Sequence, residues 1–394
     1  MLSKLISILL FVIIICFLIA WHELGHLLAA KKCNVYCYEY SIGFGPIIYK
    51  NEKHETKICI RAIPLGGFVK MAGEEGLNDG EVLKDNNGND IPSDRILANK
   101  PLRKRALVLA AGGLMNILFA LICFYFYIAF NDISFVTNKA NSTGFVTPLT
   151  TNEVTIASDS LLASKGMETN DKIILIKTRL NGGDYYEVQT NTFKDVQNAL
   201  NERKPLLVND VQDITITYVD VSDNNNEYII DVSRTLSLDD GKEVLSKIGL
   251  SQGLKAYEYN PLTALYGTFH FAGYYTVEVV KSFGRLFMGD FSSLSGLVGI
   301  YGTIDGVTSS AAVSFGVKVL NMVYIAGAIS FSLGFFNLIP FPALDGGRLF
   351  FVALEGIRKK KINPNVEATI HFVGIIVLFA LMIIINIRDI IGLF

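Results

Sequence analysis

The hydrophobic positions of the chain fall into long unbroken runs in some places and alternating patterns in others. Four runs approach or exceed the roughly 20 residues needed to span a bilayer as a helix. They cover about Leu5 to Ala30, Ala106 to Phe130, Val319 to Ile339 and Ala368 to Ile387. Tyr38 to Met71 instead alternates β-branched and aromatic residues about the polar turn Asn51–Lys57, which predicts a β-hairpin. Gly43, Gly45, Gly66 and Gly67 near its ends keep side chains away and allow another backbone to approach closely. Gly73 to Lys100 is polar and reads as a loop. Between residues 131 and 240 the pattern becomes that of a small water-soluble α/β domain. Strands are predicted at Ile173–Lys177, Ile214–Val219 and Tyr228–Val232, and helices at Ser160–Gly166 and Phe193–Glu202. Residues 262–283 are apolar but carry His270, Glu278 and Lys281. A charge at mid-bilayer costs at least ~2.5 kcal/mol, so this stretch is expected to lie as an amphipathic helix on the outer membrane surface.

These elements predict a polytopic α-helical membrane protein of four transmembrane helices, with a membrane-associated β-hairpin and one extracytoplasmic α/β domain. The expected organisation is residues 1–130 (two spans, hairpin and loop), 131–240 (outer domain), 241–318 (outer-surface amphipathic region) and 319–394 (two spans). Composition agrees: 51% of residues are hydrophobic and only 18% charged, against about 25% charged in soluble domains. The 35 basic and 37 acidic residues leave a net charge of −2, which excludes a disordered chain and a nucleic-acid binder. Five cysteines without a CxxC pair, none in the 131–240 stretch, are no disulfide framework.

The few basic residues orient the spans. Lys31 and Lys32 follow the first run, Lys100, Arg103, Lys104 and Arg105 precede the second, and Arg358 to Lys361 follow the third. By the positive-inside rule these flanks are cytoplasmic, and both termini and the 131–318 segment face outward.

At the inner end of the first run stands His22-Glu23-Leu24-Gly25-His26. Histidines at i and i+4 share one helix face, spaced to grip one Zn²⁺ through their imidazoles, and the glutamate between them is placed as general base. Ionisable groups in an apolar span are costly, which marks the cluster as functional. A hydrolytic zinc site needs a third protein ligand. Glu39, Glu52 and Glu55 lie in the polar hairpin, and Asp132, Asp290, Asp305 and Asp389 fall on the outer side. Asp345 remains, at the inner end of the third run in Asn337-Leu338-Ile339-Pro340-Phe341-Pro342-Ala343-Leu344-Asp345-Gly346-Gly347. Pro340 and Pro342 break a helix and Gly346-Gly347 loosen the backbone; irregular backbone at membrane depth is tolerated where it lines a cavity.

The His22–His26 motif in a first span, paired with Asn337-x-x-Pro340-x-Pro342-x-Leu344-Asp345-Gly346 in a late one, resembles the site-2 protease family, in particular its bacterial regulator-of-sigma branch. Ser41–Pro46 and Arg61–Met71 are similar to the family's membrane-reentrant hairpin. Ala111-Gly112-Gly113-Leu114-Met115-Asn116 is similar to its small-residue helix, and residues 143–236 resemble its single PDZ domain. The PDZ loop reads Gly166–Asp171 where the family has Gly-Leu-x-Pro-Gly-Asp, and Gly296–Ile300 stands for Gly-Pro-Val-Gly-Ile. The resemblance implies an intramembrane zinc endopeptidase of the bacterial plasma membrane, one Zn²⁺ on His22, His26 and Asp345, and Glu23 as catalytic base. Its substrates would be single-span membrane proteins already trimmed outside, such as anti-sigma factors, or remnant signal peptides, with peptide C-termini as candidate partners of the PDZ domain. An unwound substrate would pair with an edge strand within Ile60–Met71, giving Gly66 and Gly67 a substrate-binding role; a structural hairpin that shields the helices fits the same residues equally well. Asn337 and Asn116 are candidates to hold substrate, the latter equally suited to bridging helices. His54, His270 and His371 lack ligand spacing and read as structural. The rival class is a non-hydrolytic membrane scaffold or metal-binding transporter, against which stands the lack of an internal repeat.

Overall fold

A computed structural model of the chain describes residues 2–74, 82–158, 160–180, 185–201, 212–223, 225–231, 249–290, 295–310, 313–360 and 362–391. It divides into two units, residues 1–131 with 261–394, and residues 132–260.

The first unit begins with α1 (Leu2–Lys32), an apolar helix closed by Lys31 and Lys32 in its last turn and by Asn34 in the left-handed conformation. The ribbon β1 (Cys37–Asn51) and β2 (Lys57–Met71) follows. It is more than the simple hairpin its alternation predicts, because it folds back across itself. Residues 39–42 are flanked on both sides, Tyr40 by Val69 and Ile58, Ser41 by Phe68 and Cys59. The corners fall at Gly43, Gly45 and Gly66, all at positive φ. Arg61 pins the fold by donating to Ser41 Oγ, to the Gly45 carbonyl and to Glu39 Oε1. Residues 67–71 are thereby left on the outer edge, paired with no strand but β1 among the described residues. Next comes α2 (Leu102–Phe130), the central helix. A Cβ on Gly25 of α1 would meet the Ala111 carbonyl oxygen at 2.5 Å, so these helices touch backbone to backbone.

The second unit comprises α3 (Ser134–Thr137), β3 (Thr143–Pro148), β4 (Val154–Ile156), α4 (Leu161–Ser164), β5 (Lys172–Leu180), β6 (Tyr185–Gln189), α5 (Phe193–Asn201), β7 (Gln212–Asp220), β8 (Asn226–Asp231), β9 (Leu250–Gln252) and β10 (Leu254–Tyr259). An antiparallel sheet in the order β6-β5-β7-β8 covers a core that includes Leu162, Met167, Ile173, Ile176, Val196 and Ile216. The strands and helices predicted here all occur; Glu202 and Val232, at the ends of two of them, lie outside the described residues. The boundary expected at residue 240 falls short. β9 pairs with β4 and β10 with β3, so the unit closes at Asn260 through hydrogen bonds between its two ends.

The chain then returns to the first unit with α6 (Ala264–Phe287), α7 (Leu297–Ser309), α8 (Phe315–Leu338), α9 (Asp345–Arg358) and α10 (Pro364–Ile391). Among the described residues four helices are long and apolar enough to cross a membrane: α1, α2, α8 and α10. α6 was expected to lie flat on a membrane surface. Instead it packs lengthwise along the bundle: Phe271 meets Phe124 and Tyr324, Tyr275 meets Phe331, and Phe283 meets Phe336. Tyr324 to Phe336 is about 18 Å of helix at ~1.5 Å per residue. Glu278 and Lys281, the charges behind the surface expectation, pair with each other at 2.8 Å on the exposed side. α8 ends where Pro340 forces Ile339 into extended backbone (φ −69°, ψ 140°). Gly113 and Gly334 bring α2 and α8 together, each with the other's carbonyl oxygen within 3 Å of where its Cβ would stand.

Candidate metal centre

His22 and His26 lie one turn apart on the face of α1 that packs on α2, and both are buried. Asp345 opens α9, immediately after the irregular segment 339–344. The three converge: His22 Nε2 is 3.1 Å and His26 Nε2 3.2 Å from Asp345 Oδ2, and the two imidazole nitrogens are 3.2 Å apart. This triangle matches one face of a tetrahedral zinc site, whose ligand atoms stand about 3.3 Å apart when bond lengths are about 2.0–2.1 Å. The Asp345 side chain is 25% exposed, against 11% and 7% for the two histidines, so the cluster opens on the aspartate side.

The surroundings of the imidazoles suit a cation. His26 Nδ1 donates to the Val108 carbonyl at 2.8 Å, which leaves a lone pair on its Nε2. The Asn116 amide lies 3.2 Å from His22 Nδ1, with the Asn116 Oδ1 atom buried and unpartnered when Nδ2 is the end facing the ring. The opposite orientation of the same amide lets Oδ1 accept the Nδ1–H of His22 and turns the His22 Nε2 lone pair toward Asp345. Gly112 completes the cradle. A Cβ there would stand 2.3 Å from His26 Nε2 and 2.6 Å from His22 Nε2, so only a glycine leaves room at the point of convergence.

Around the cluster, ion pairs tie the elements together. Arg348, one turn beyond Asp345, pairs with Glu74 at the end of the β ribbon, and Arg105 of α2 pairs with the buried Glu355 of α9. Tyr40 of the ribbon donates its hydroxyl to the Ala20 carbonyl of α1 at 2.8 Å.

Of the other residues singled out in the sequence, Gly67 lies against the motif glutamate: a Cβ on it would be 3.3 Å from Glu23 Cγ. Gly66 sits under the Phe44 ring at φ +108°. Asn116 stands behind His22. Asn337 is half-buried in the last turn of α8, and its side chain makes no hydrogen bond to a described residue. The reading of the sequence missed Gly112 as a site residue, although it lies in the small-residue run Ala111–Gly113. It also missed the Glu74–Arg348 tie, which no local pattern announces.

Two imidazoles and a carboxylate gathered by apolar helices define a metallopeptidase-type centre. Residues 10–381 match peptidase family M50, and the chain belongs to that family, the site-2 proteases; it is a zinc metalloprotease. It is similar to zinc metalloprotease RasP of Shouchella clausii, 27% identical over 98% of this chain and 99% of the relative. It is equally similar to the regulator of sigma-W protease RasP of Bacillus subtilis, 27% identical over 98% of each. A putative zinc metalloprotease of Staphylococcus aureus is 28% identical over 98% of this chain and 99% of its own length.

Proposed function

We propose that the protein is an intramembrane endopeptidase that hydrolyses peptide bonds within transmembrane segments of single-span membrane proteins. The observation that carries this reading is the convergence of His22, His26 and Asp345 on one point beside Glu23. These three residues hold Zn²⁺, which when bound polarises the scissile carbonyl and acidifies water in the site. Glu23 takes the proton from the attacking water and delivers it to the departing amine. The Asn116 amide sets the tautomer and plane of His22, which favours a positioning role over substrate contact. Asn337, with its amide uncommitted, is the candidate to hold substrate.

A transmembrane helix has its peptide groups locked in internal hydrogen bonds and must be unwound before cleavage. The outer edge of residues 67–71 offers strand pairing to such an unwound segment. Gly67 brings that edge into contact with Glu23 with no side chain between them. The basic flanks favour a site on the cytoplasmic side of a bacterial plasma membrane, with residues 132–260 outside, in the role of a PDZ-like unit that binds peptide C-termini or excludes untrimmed proteins. The sigma-W regulator named among the relatives favours anti-sigma factors as substrates; remnant signal peptides fit the same site. Family membership weighs against the scaffold or transporter reading.

The test is Glu23→Gln in the full chain, reconstituted with a single-span substrate and assayed for zinc content alongside. Cleavage is expected to fall about 10²–10⁴-fold with zinc retained. Unchanged cleavage removes Glu23 as the base.

A further inference from the structure

The third ligand reaches the centre by a route different from the other two, and the residue that supports that route is a histidine outside the motif. His22 and His26 are oriented by an unbroken helix. Asp345 follows a segment that is not helix: Pro340 and Pro342 lack N–H groups, and a single turn bond, Leu344 N–H to the Phe341 carbonyl at 3.2 Å, closes over Pro342 and Ala343. Ala343 adopts φ +82° there, a left-handed conformation that costs a residue bearing a Cβ. Such a conformation persists only when the surroundings impose it.

The last apolar helix braces that turn from outside. His371 Nδ1 of α10 accepts the Ala343 N–H at 2.9 Å. One turn on, Gly374 lets α10 approach so closely that a Cβ there would stand 2.6 Å from the Pro342 backbone. Gly347 of α9 faces the same ring, its virtual Cβ 3.2 Å from His371 Cε1 and 2.4 Å from the Phe341 carbonyl oxygen. The Phe351 ring, 5.7 Å from the imidazole, packs on it from α9. The hydrogen bond to Ala343 requires a lone pair on Nδ1, which puts the ring proton on Nε2, a buried atom with no partner among the described residues.

We propose that His371 is a positioning residue for the zinc centre: its Nδ1 holds Ala343 in the left-handed conformation that aims Asp345 at His22 and His26. This rests on Asp345 being the third ligand. The role calls for an acceptor at Nδ1 rather than for an imidazole as such. Asparagine can offer its Oδ1 in the same place, whereas phenylalanine keeps the ring volume and loses the acceptor. Glycine at position 343 adopts φ +82° without steric cost and depends less on the support.

The experiment measures zinc retained by the full chain in detergent or lipid against a graded chelator, with kcat and KM for a membrane substrate alongside. His371→Phe is expected to lower zinc affinity about 10–100-fold, as removal of residues that orient metal ligands does, with KM little changed. His371→Asn should stay within about threefold of the unaltered protein, and Ala343→Gly should restore most of what His371→Phe loses. Asp345→Ala serves as reference. Loss of zinc in Asp345→Ala but not in His371→Phe overturns this proposal and leaves the ligand assignment standing. Zinc retained in both overturns the ligand assignment and the proposal with it. His371→Asn as damaging as His371→Phe, or no recovery from Ala343→Gly, also overturns the proposal, since the ring and not its acceptor would then matter.

Discussion

The two units of the chain use the same kinds of residue in opposite senses. In the second unit Val154, Leu162, Ile173, Ile176 and Ile216 point inward and form a single core. In the first, equally apolar side chains point outward: Leu5, Leu9 and Ile13 on α1 and Phe372, Phe379 and Ile387 on α10 are each more than half exposed. Buried polar side chains differ in use. Those buried in the second unit serve nearby backbone, as Asp171 does for Glu168 and Val221 and Thr190 for Ile173, whereas the buried His22, His26 and Asn116 of the first gather about one point. Apolar residues in a membrane-type bundle thus give the helices their solvent without specifying how they pack, because lipid and a neighbouring helix are alike to leucine. Specificity falls to glycines that admit close approach and to a few satisfied polar groups.

The contrast breaks most sharply at Gly112. If small-residue contact builds the centre, Gly112→Ala fills the convergence point with a methyl group 2.3 Å from His26 Nε2. Zinc content should fall to near zero and cleavage at least as far as in Glu23→Gln, while amide exchange in residues 132–260 stays unchanged. Metal analysis and hydrogen exchange on the same sample check both halves. Stoichiometric zinc in Gly112→Ala would show that α1 and α2 can separate at this point without harm.

A second and smaller effect is expected at the tie between the β ribbon and α9. Glu74 and Arg348 are each about a quarter exposed, so water screens the pair and its contribution to stability is on the order of 1 kcal/mol. Its geometric consequence is greater, because Arg348 lies one turn from Asp345 and Glu74 stands three residues beyond the strand whose edge passes Glu23. Glu74→Gln should leave zinc content unaltered and lower kcat/KM roughly tenfold through misalignment of strand and centre. A loss of zinc instead would mean that the tie supports the ligand rather than the edge.

What could be read in advance follows the same division. Runs of apolar residues locate α1, α2, α8 and α10 because length alone defines them, and His22 and His26 are legible because helix geometry fixes their relation. That Asp345 would lie beside them could be expected by elimination, since two prolines marked where helix had to stop. The fold-back of the ribbon was not legible: alternation reports a strand but not its partners, and the register depends on three glycines and on Arg61 reaching Ser41, Gly45 and Glu39. Nor was the packing of α6, where Glu278 and Lys281 argued for a surface although they neutralise each other. β9 and β10 were assigned to the wrong segment because strands of three and six residues carry little pattern, and their partners lie about a hundred residues earlier.

The smallest effect belongs to the second unit and tests whether its polar groups act locally, as the contrast requires. Thr192 and Asp195 form a reciprocal cap on α5: Thr192 Oγ1 accepts the Asp195 N–H at 3.2 Å, and Asp195 Oδ2 accepts the N–H groups of Thr192 at 2.8 Å and Asn191 at 3.0 Å. Thr192→Ala should cost about 1 kcal/mol, read as a roughly fivefold loss of exchange protection in α5, with zinc content and cleavage unmoved. Those backbone donors stabilise the ionised Asp195 and hold its carboxyl below the usual carboxylate range. A depressed native pKa means that the folded state binds the proton less readily than the unfolded one, so the contribution is fully present above about pH 4, the ordinary aspartate value. It declines as pH falls through that value toward the native one. Asp195→Asn should therefore lower α5 protection at neutral pH and converge on the unaltered protein in acid. A difference that persisted unchanged at the lowest pH would show that the side chain acts through packing, and one that reached the zinc centre would end the separation of the two units.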